Sequence, residues 1–282
     1  MKNTKFILAL MIATMIIFQL EAATIASGSD CGDDCSWKLD DKGVLTITGN
    51  GDVKNSYTGW RSVYSDIKEV VVEKGITRVG QFAFQNAPNL KKVTLPETLT
   101  SLGGDVFNGA SNLAIINFPS KLNGAAGWGF CGTNIKEVIL PPAAKVIGSG
   151  AFDSSSLQKI VLNDGLEEIQ YRAFRLTDIE EITIPSTVTK IDSEAFSNCN
   201  LKKLVLNPND NLVINSNAFW EIEGNFTVYC MVDTKICDAK LQSIGLTSLP
   251  YPKEPQIERR IYTIEEANQV AGKTNSFKIR YR

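Results

Sequence analysis

Residues 90–112 read LKKVTLPETLTSLGGDVFNGASN, and residues 179–200 read IEEITIPSTVTKIDSEAFSNCN. In both stretches apolar residues lie three and five positions after the first residue, and a phenylalanine closes a second apolar cluster. This apolar pattern recurs every 22 or 23 residues from seven starting residues: Ile67, Leu90, Leu113, Ile135, Leu157, Ile179 and Leu201. A fixed period of this length is typical of a solenoid, in which each repeat packs against its neighbours.

Each repeat opens with a short predicted strand. Val93 and Leu95 alternate with polar residues, and this alternation predicts a strand with one buried face. Proline closes the strand in four repeats, because it has no amide hydrogen to donate to a neighbouring strand: Pro96, Pro119, Pro141 and Pro185.

The second half of each repeat ends in an aromatic residue. Seven phenylalanines occupy this position: Phe84, Phe107, Phe130, Phe152, Phe174, Phe196 and Phe219. A small residue precedes all of them except Phe107, which follows Val106. Exposed aromatic residues could serve as a stacking platform for a ligand, but the strict spacing favours a buried column inside the solenoid.

These segments resemble the BspA-like, or treponemal, class of leucine-rich repeats, whose units follow LxxLxLPxxLxxIGxxAFxxC. The resemblance covers residues 67–231, and residues 31–53, CGDDCSWKLDDKGVLTITGNGDV, resemble the β-rich segment that precedes such repeats. It implies an α+β solenoid, curved, with parallel strands on its concave face and a β-rich N-terminal cap. It also implies a role in surface attachment or ligand recognition. Residues 122–130, LNGAAGWGF, depart from the pattern.

The regions outside the repeats suggest a secreted protein. Lys2 and Lys5 precede an apolar run of about 15 residues, shorter than the roughly 20 that span a bilayer, so we predict a cleaved signal peptide. Cleavage is expected after Ala23 or Ala26. We expect the mature chain to be secreted or at the cell surface without a transmembrane anchor, with the periplasm as a further location in a bacterium.

The sequence divides into six predicted regions: a signal peptide (1–26), an N-terminal cap (27–66), the repeats (67–231), a C-terminal cap (232–249), a linker (250–260) and a small tail element (261–282).

Composition excludes several functions. The chain contains no histidine, so no mechanism that uses imidazole as a base or metal ligand applies. A net charge of −2 argues against a nucleic-acid partner, because proteins that bind nucleic acid normally carry a concentrated excess of basic residues. Neighbouring acids such as Glu180 and Glu181 suggest a glycosidase, but flanking lysines favour cross-strand ion pairs. We therefore predict no enzyme activity and no cofactor.

The six cysteines are expected to have structural roles. Cys31 lies close to Cys35 in one cap and Cys230 close to Cys237 in the other, so each pair is expected to form a disulfide. The two caps lie about 30 Å apart by the spacing of seven strands, which rules out a shared zinc site. Cys131 and Cys199 lie three repeats apart, beyond the reach of a disulfide, and are predicted to be buried free thiols.

A candidate binding face follows from the repeat. Residues one, two and four positions after each start are predicted to point away from the core. The candidate ligand-binding residues there are Lys68, Lys91, Lys92, Thr94, Lys136, Ile139, Lys159, Val161, Glu180, Glu181, Lys202, Lys203 and Val205. Seven lysines and four glutamates occupy the first two of these positions, which predicts an acidic partner such as a sulfated glycan or an acidic matrix protein.

Three alternatives to ligand binding remain open at this stage. The β-branched residues of the face, from Val71 to Val205, also suit a strand that is merely half-exposed. A structural coat protein that polymerises through its ends is the second alternative, and a polysaccharide hydrolase is a third and weaker one. The sequence thus predicts adhesion or the binding of an extracellular protein or glycan, without identifying the ligand.

Overall fold

The structure, a computed structural model, describes residues 22–56, 59–222, 226–242 and 245–250. The N-terminal strands are β1 (Thr24–Gly32), β2 (Asp34–Asp40) and β3 (Val44–Asp52), followed by a 3-10 helix (Arg61–Asp66). The first strands of the repeats are β4 (Glu69–Val72), β6 (Lys92–Thr94), β8 (Ile115–Ile116), β10 (Glu137–Ile139), β12 (Lys159–Val161), β14 (Glu181–Ile184), β16 (Lys203–Leu206) and β18 (Thr227–Cys230). The second strands are β5 (Ile76–Val79), β7 (Ser101–Leu102), β9 (Gly124–Ala125), β11 (Val146–Ile147), β13 (Glu168–Ile169), β15 (Lys190–Ile191) and β17 (Val213–Ile214). Helix α1 (Thr234–Leu241) and strand β19 (Leu249–Pro250) follow.

The chain forms a parallel-strand β-solenoid of about eight turns. Strands β4 to β16 of the first column begin two residues after the seven predicted repeat starts, which confirms the repeat register. Neighbouring turns pair in parallel and in register, as Val138 with Ile160 and Ile147 with Ile169. The apolar residues that recur three and five positions after each start, and those of the second column such as Ile147 and Ile169, point inward, so one continuous core fills the solenoid.

The predicted aromatic column lies inside this core. Rings from successive turns stack with centroids 5.2–5.8 Å apart, in the order Trp60, Phe84, Phe107, Phe130, Phe152, Phe174, Phe196, Phe219 and Phe226. The six rings from Phe84 to Phe196 are fully buried. The buried column is confirmed, and these rings do not form an exposed platform.

The chain bends sharply on both sides of each phenylalanine. Residues two positions before and two after the ring have positive φ in every turn from Phe84 to Phe196; Arg172 (φ 55°) and Leu176 (φ 57°) flank Phe174 in this way. The amide of each of these phenylalanines donates to a carbonyl of the next turn at 2.8–2.9 Å. The bends therefore direct the backbone groups along the solenoid axis, where the next turn can pair with them.

The third repeat keeps this arrangement despite its unusual sequence. Trp128 takes the first bend with φ of 55°, and Phe130 stacks on Phe152 at 5.3 Å. The ring of Trp128 lies so close to Gly150 that a Cβ atom there would be 2.4 Å from it. Glycine in the fourth repeat thus makes room for the tryptophan of the third.

The N-terminal strands form an antiparallel meander, β1–β2–β3, that joins the solenoid through parallel pairing of β3 with β4. Apolar residues on either side of the Asp40–Gly43 turn predict a hairpin over residues 36–51, and strands β2 and β3 form it. Strand β1 was not predicted: it begins at Thr24, inside the proposed signal peptide 1–26, and Ala26 pairs with Leu39. Of the two expected cleavage positions, only the one after Ala23 leaves β1 whole.

At the other end, β18 closes the predicted repeats, 67–231, and α1 lies in the predicted C-terminal cap, 232–249. The side chain of Asp233 caps α1 by accepting from the amide of Lys235 at 2.8 Å. Strand β19 pairs with β18 and overlaps the predicted linker at Pro250. The α+β label is not confirmed, since the described residues contain one α-helix and the repeats are built from strands and turns. The predicted tail, 261–282, lies outside the described residues.

Candidate functional site

The outward side of the first-column strands β4 to β16 is called the sheet face here. The sheet face also includes the residue directly before each strand. Eight of the thirteen candidate residues lie on the strands, where they alternate with core residues, and the other five each directly precede a strand: Lys68, Lys91, Lys136, Glu180 and Lys202. The structure leaves ten of them exposed: Lys68, Lys91, Lys92, Lys136, Ile139, Lys159, Val161, Glu180, Glu181 and Lys202. Thr94 and Lys203 are half-buried.

Val205 is a correction to the predicted site. It is only 1% exposed, so it is not available to a ligand. In register beside it on β18 lies Tyr229, whose ring is 5.7 Å from the ammonium nitrogen of Lys203. A large aromatic ring next to a small aliphatic side chain on one sheet face shields it from water. The accessible part of the face therefore ends before β16.

Ion pairs across the strands neutralise part of the face. Lys92 Nζ lies 2.7 Å from a carboxylate oxygen of Glu69. In the C-terminal turns, Lys203 pairs with Glu181 at 2.7 Å, and Lys202 pairs with Glu180. The acids Glu180 and Glu181 are thus engaged with lysines, as the flanking sequence indicated.

Four other lysines of the face are not neutralised. Within the described part of the chain, no acidic side chain lies at ion-pair distance from Lys68, Lys91, Lys136 or Lys159. Glu137 is the register partner of Lys159, yet the two do not form an ion pair. The positive charge available to a partner therefore belongs to the turns of β4 to β12.

Exposed aliphatic side chains lie beside these lysines. Ile115, Ile139 and Val161 stand on the consecutive first-column strands β8, β10 and β12 and are 59%, 62% and 48% exposed. Ile115 was not among the thirteen candidates, although its place two residues after Leu113 put it on the face. Burial of all three would release ordered water and favour binding.

Asn117 shares the face without being free to bind. Its side-chain amide donates to the carbonyl of Leu95 at 2.8 Å, and its oxygen accepts from the amide of Leu95 at 2.7 Å. Both polar groups of the Asn117 side chain are thus hydrogen-bonded to the backbone of the neighbouring turn. The aliphatic stripe is therefore shorter than the run from Val71 to Val205 considered from the sequence.

The cysteines lie away from the sheet face. The structure contains both expected disulfides, Cys31–Cys35 and Cys230–Cys237. Cys131 and Cys199 are free thiols; Cys199 is buried as predicted, whereas Cys131 is only half-buried. Burial raises the pKa of the Cys131 thiol to about 11, with further contributions from Asp153 and Asp105.

Two other kinds of site are absent from the described residues. No group of three or more acidic or cysteine side chains among them is arranged to hold a metal ion. No helix that the structure describes is both long and apolar enough to cross a membrane.

The family model for the BspA type leucine rich repeat region matches residues 62–175 and 127–225, with six copies of the repeat. The chain belongs to this family. A comparison of the BspA type chain with curated proteins gives no match. The matched residues include the whole sheet face, from Lys68 to Val205.

Several solved structures resemble this BspA type protein in fold. A leucine rich cell surface protein from Faecalibacterium prausnitzii shares 22% identity and a TM-score of 0.48 over 64% of this chain, which spans 54% of the length of that protein. A leucine-rich repeat protein from Bacteroides ovatus shares 18% identity and a TM-score of 0.43 over 71% of this chain and 70% of its own. The T. pallidum leucine rich repeat protein shares 21% identity and a TM-score of 0.42 over 60% of this chain and 88% of its own.

Proposed function

We propose that this protein is a binding or adhesion protein, secreted or held at the cell surface, whose sheet face contacts an extracellular protein or glycan. The observation that carries the proposal is the exposure of large aliphatic side chains on three consecutive strands: Ile139 and Val161 are in register, and Ile115 lies two residues off that register. A strand that faced only water would not need large aliphatic residues in successive turns, and contiguous exposed apolar surface marks interaction sites.

Two further features support this proposal over the alternatives. The predicted signal peptide and the description of the Faecalibacterium protein as a cell surface protein favour a location outside the cell. Strands β1–β3 at one end and helix α1 at the other flank the stacked turns. Such flanking elements disfavour a coat protein that grows by stacking of its ends.

The proposal is tested by one substitution with a matched control. The mature protein is screened against extracellular-matrix proteins and immobilised glycans, and the binders are then tested with Ile139→Asp. This substitution places a carboxylate at the centre of the proposed apolar contact. Binding is expected to be abolished, because the carboxylate would have to lose its bound water when the ligand covers it, which is unfavourable.

Val213→Asp is the control. Val213 is also β-branched, is 64% exposed, and lies on β17 in the second column, away from the sheet face. Binding by this variant is expected to match the parent. A parent that binds nothing in the screen, or an Ile139→Asp variant that binds as well as the parent, would overturn the proposal.

A further inference from the structure

The unneutralised lysines of the sheet face form a line along the solenoid axis. Lys68, Lys91 and Lys136 each lie one residue after a repeat start, and Lys159 lies two residues after one. The turns of β4 and β12 are separated by four strand spacings of ~4.8 Å, so the line extends over about 19 Å. In the turn between Lys91 and Lys136, the exposed Ala114 takes this position, and the exposed Ile115 follows it.

This line contrasts with the rest of the molecule. The whole chain has a net charge of −2, whereas the accessible face presents four free ammonium groups beside a single unpaired acid, Glu137. Where glutamates do occur in neighbouring strands, at Glu69, Glu180 and Glu181, they pair with lysines. The free charge is therefore concentrated in one narrow strip next to Ile139 and Val161.

From this arrangement we propose that the sheet face binds an extended sulfated glycan that lies along the solenoid axis, across the strands. The inference rests on the proposed function and names the ligand class of the same face. Sulfate groups are negative at every physiological pH and would pair with the ammonium groups of successive turns. Sugar rings also present apolar C–H faces, which match the exposed side chains of Ile139 and Val161.

Other polyanions fit the face less well. Duplex nucleic acid is bound by proteins with a strong basic surplus, and this chain is slightly acidic. An anionic membrane favours a broad basic patch, whereas the four free lysines form a single line with aliphatic residues beside it. A flexible linear polymer can follow such a line and contact both kinds of side chain.

The test measures binding of the full mature protein to heparin, a sulfated polysaccharide, by titration calorimetry. The face variant replaces Lys68, Lys91, Lys136 and Lys159 with glutamate. The control variant replaces four exposed lysines outside the face, Lys54, Lys74, Lys121 and Lys235, with glutamate and has the same net charge. The face variant is expected to bind at least about tenfold more weakly, because each lost ion pair becomes a repulsion.

The control variant is expected to change heparin affinity less than about threefold, since screening weakens charges beyond a Debye length of ~8 Å. Heparin fragments shorter than the line of lysines should bind more weakly than longer ones, and desulfated heparin should not bind. Equal losses in both variants would mean that net charge alone matters and would overturn the inference. So would equally tight binding of duplex DNA, of anionic phospholipid vesicles or of desulfated heparin.

Circular dichroism and thermal melting establish that both variants fold. If the quadruple face variant does not fold, four single Lys→Gln variants replace it, each expected to weaken heparin binding about twofold. Single variants that all bind like the parent would overturn the inference. A parent that binds a matrix protein in an Ile139-dependent way but does not bind heparin would contradict the glycan inference alone and leave the proposed function standing.

Discussion

A single phenylalanine in each turn determines how closely the turns can stack. Phe174 is fully buried between Phe152 and Phe196, with ring centroids 5.8 and 5.2 Å away. Phe174→Ala would leave a cavity that these rings cannot fill, because backbone hydrogen bonds hold their turns in place. We expect the free energy of unfolding, measured with a chemical denaturant, to fall by about 3–5 kcal/mol.

The exposed Trp220 provides the matched aromatic control for this prediction. Trp220→Ala should change the free energy of unfolding by no more than about 0.5 kcal/mol. A similar small effect at Phe174 would show that the aromatic column does not support the fold.

The two free thiols also allow a test at the scale of single residues. Because burial, Asp153 and Asp105 raise the pKa of Cys131 to about 11, the reactive thiolate is scarce at neutral pH. Alkylation of Cys131 by iodoacetamide should therefore be slow at pH 7 and accelerate as the pH approaches 11. Asp105→Asn removes one negative charge, lowers this pKa and should speed alkylation at pH 8.

Cys199 serves as the internal comparison, read by mass spectrometry of the same samples. It is buried, burial raises its pKa to about 11, and it should stay unlabelled until the protein unfolds. Rapid labelling of Cys131 at pH 7, or a slower reaction in Asp105→Asn, would be inconsistent with the described surroundings of this thiol.

At the scale of single elements, the two bends that flank the phenylalanine of each turn could not be predicted from the sequence. Glycine marks a positive φ at Gly109, Gly132 and Gly150, but Arg172 and Leu176 take the same conformation without any sequence signal. Strain at such residues costs about 1–2 kcal/mol each, and the hydrogen bonds between turns hold them in place.

The bend at Leu176 makes this strain measurable. Its side chain is exposed, so Leu176→Gly relieves the strain with little loss of packing and should raise the free energy of unfolding by roughly 0.5–1 kcal/mol. Leu176→Val, with a branched Cβ, should lower it. Thermal and denaturant unfolding of the two variants provide the measurement, and the opposite order of stability would contradict the role of the bend.

Prediction of the elements succeeded where residues repeat and failed where they do not. Strand positions, the aromatic column and the β2–β3 hairpin follow from apolar spacing that the sequence displays directly. Strand β1 lacked such a pattern and overlapped an apparent leader, so only its pairing with β2 reveals it. In the described residues of the repeats, turns take the place of the helices that an α+β fold would have. The sequence does not indicate this, because turns with positive φ leave no periodic pattern of apolar residues.

For the molecule as a whole, the sequence predicts which residues point outward on the sheet face. It does not predict which of their charged groups remain unpaired. Alternation along each strand places the lysines outside. Which of them remain free depends on side-chain contacts between strands, as at Lys92 with Glu69. Val205 is likewise buried beside Tyr229 of β18, a strand that none of the seven predicted repeat starts indicated.

The most direct test of the sheet face as the binding site is a lysine footprint. The protein is labelled with an amine-reactive reagent, with and without its bound ligand, and each lysine is quantified by mass spectrometry. Bound ligand should protect Lys68, Lys91, Lys136 and Lys159, because these exposed amines lie along the proposed contact. Lys54, Lys74, Lys121 and Lys235 should be labelled equally in both states. Protection of this second set, with the four face lysines unchanged, would contradict the account.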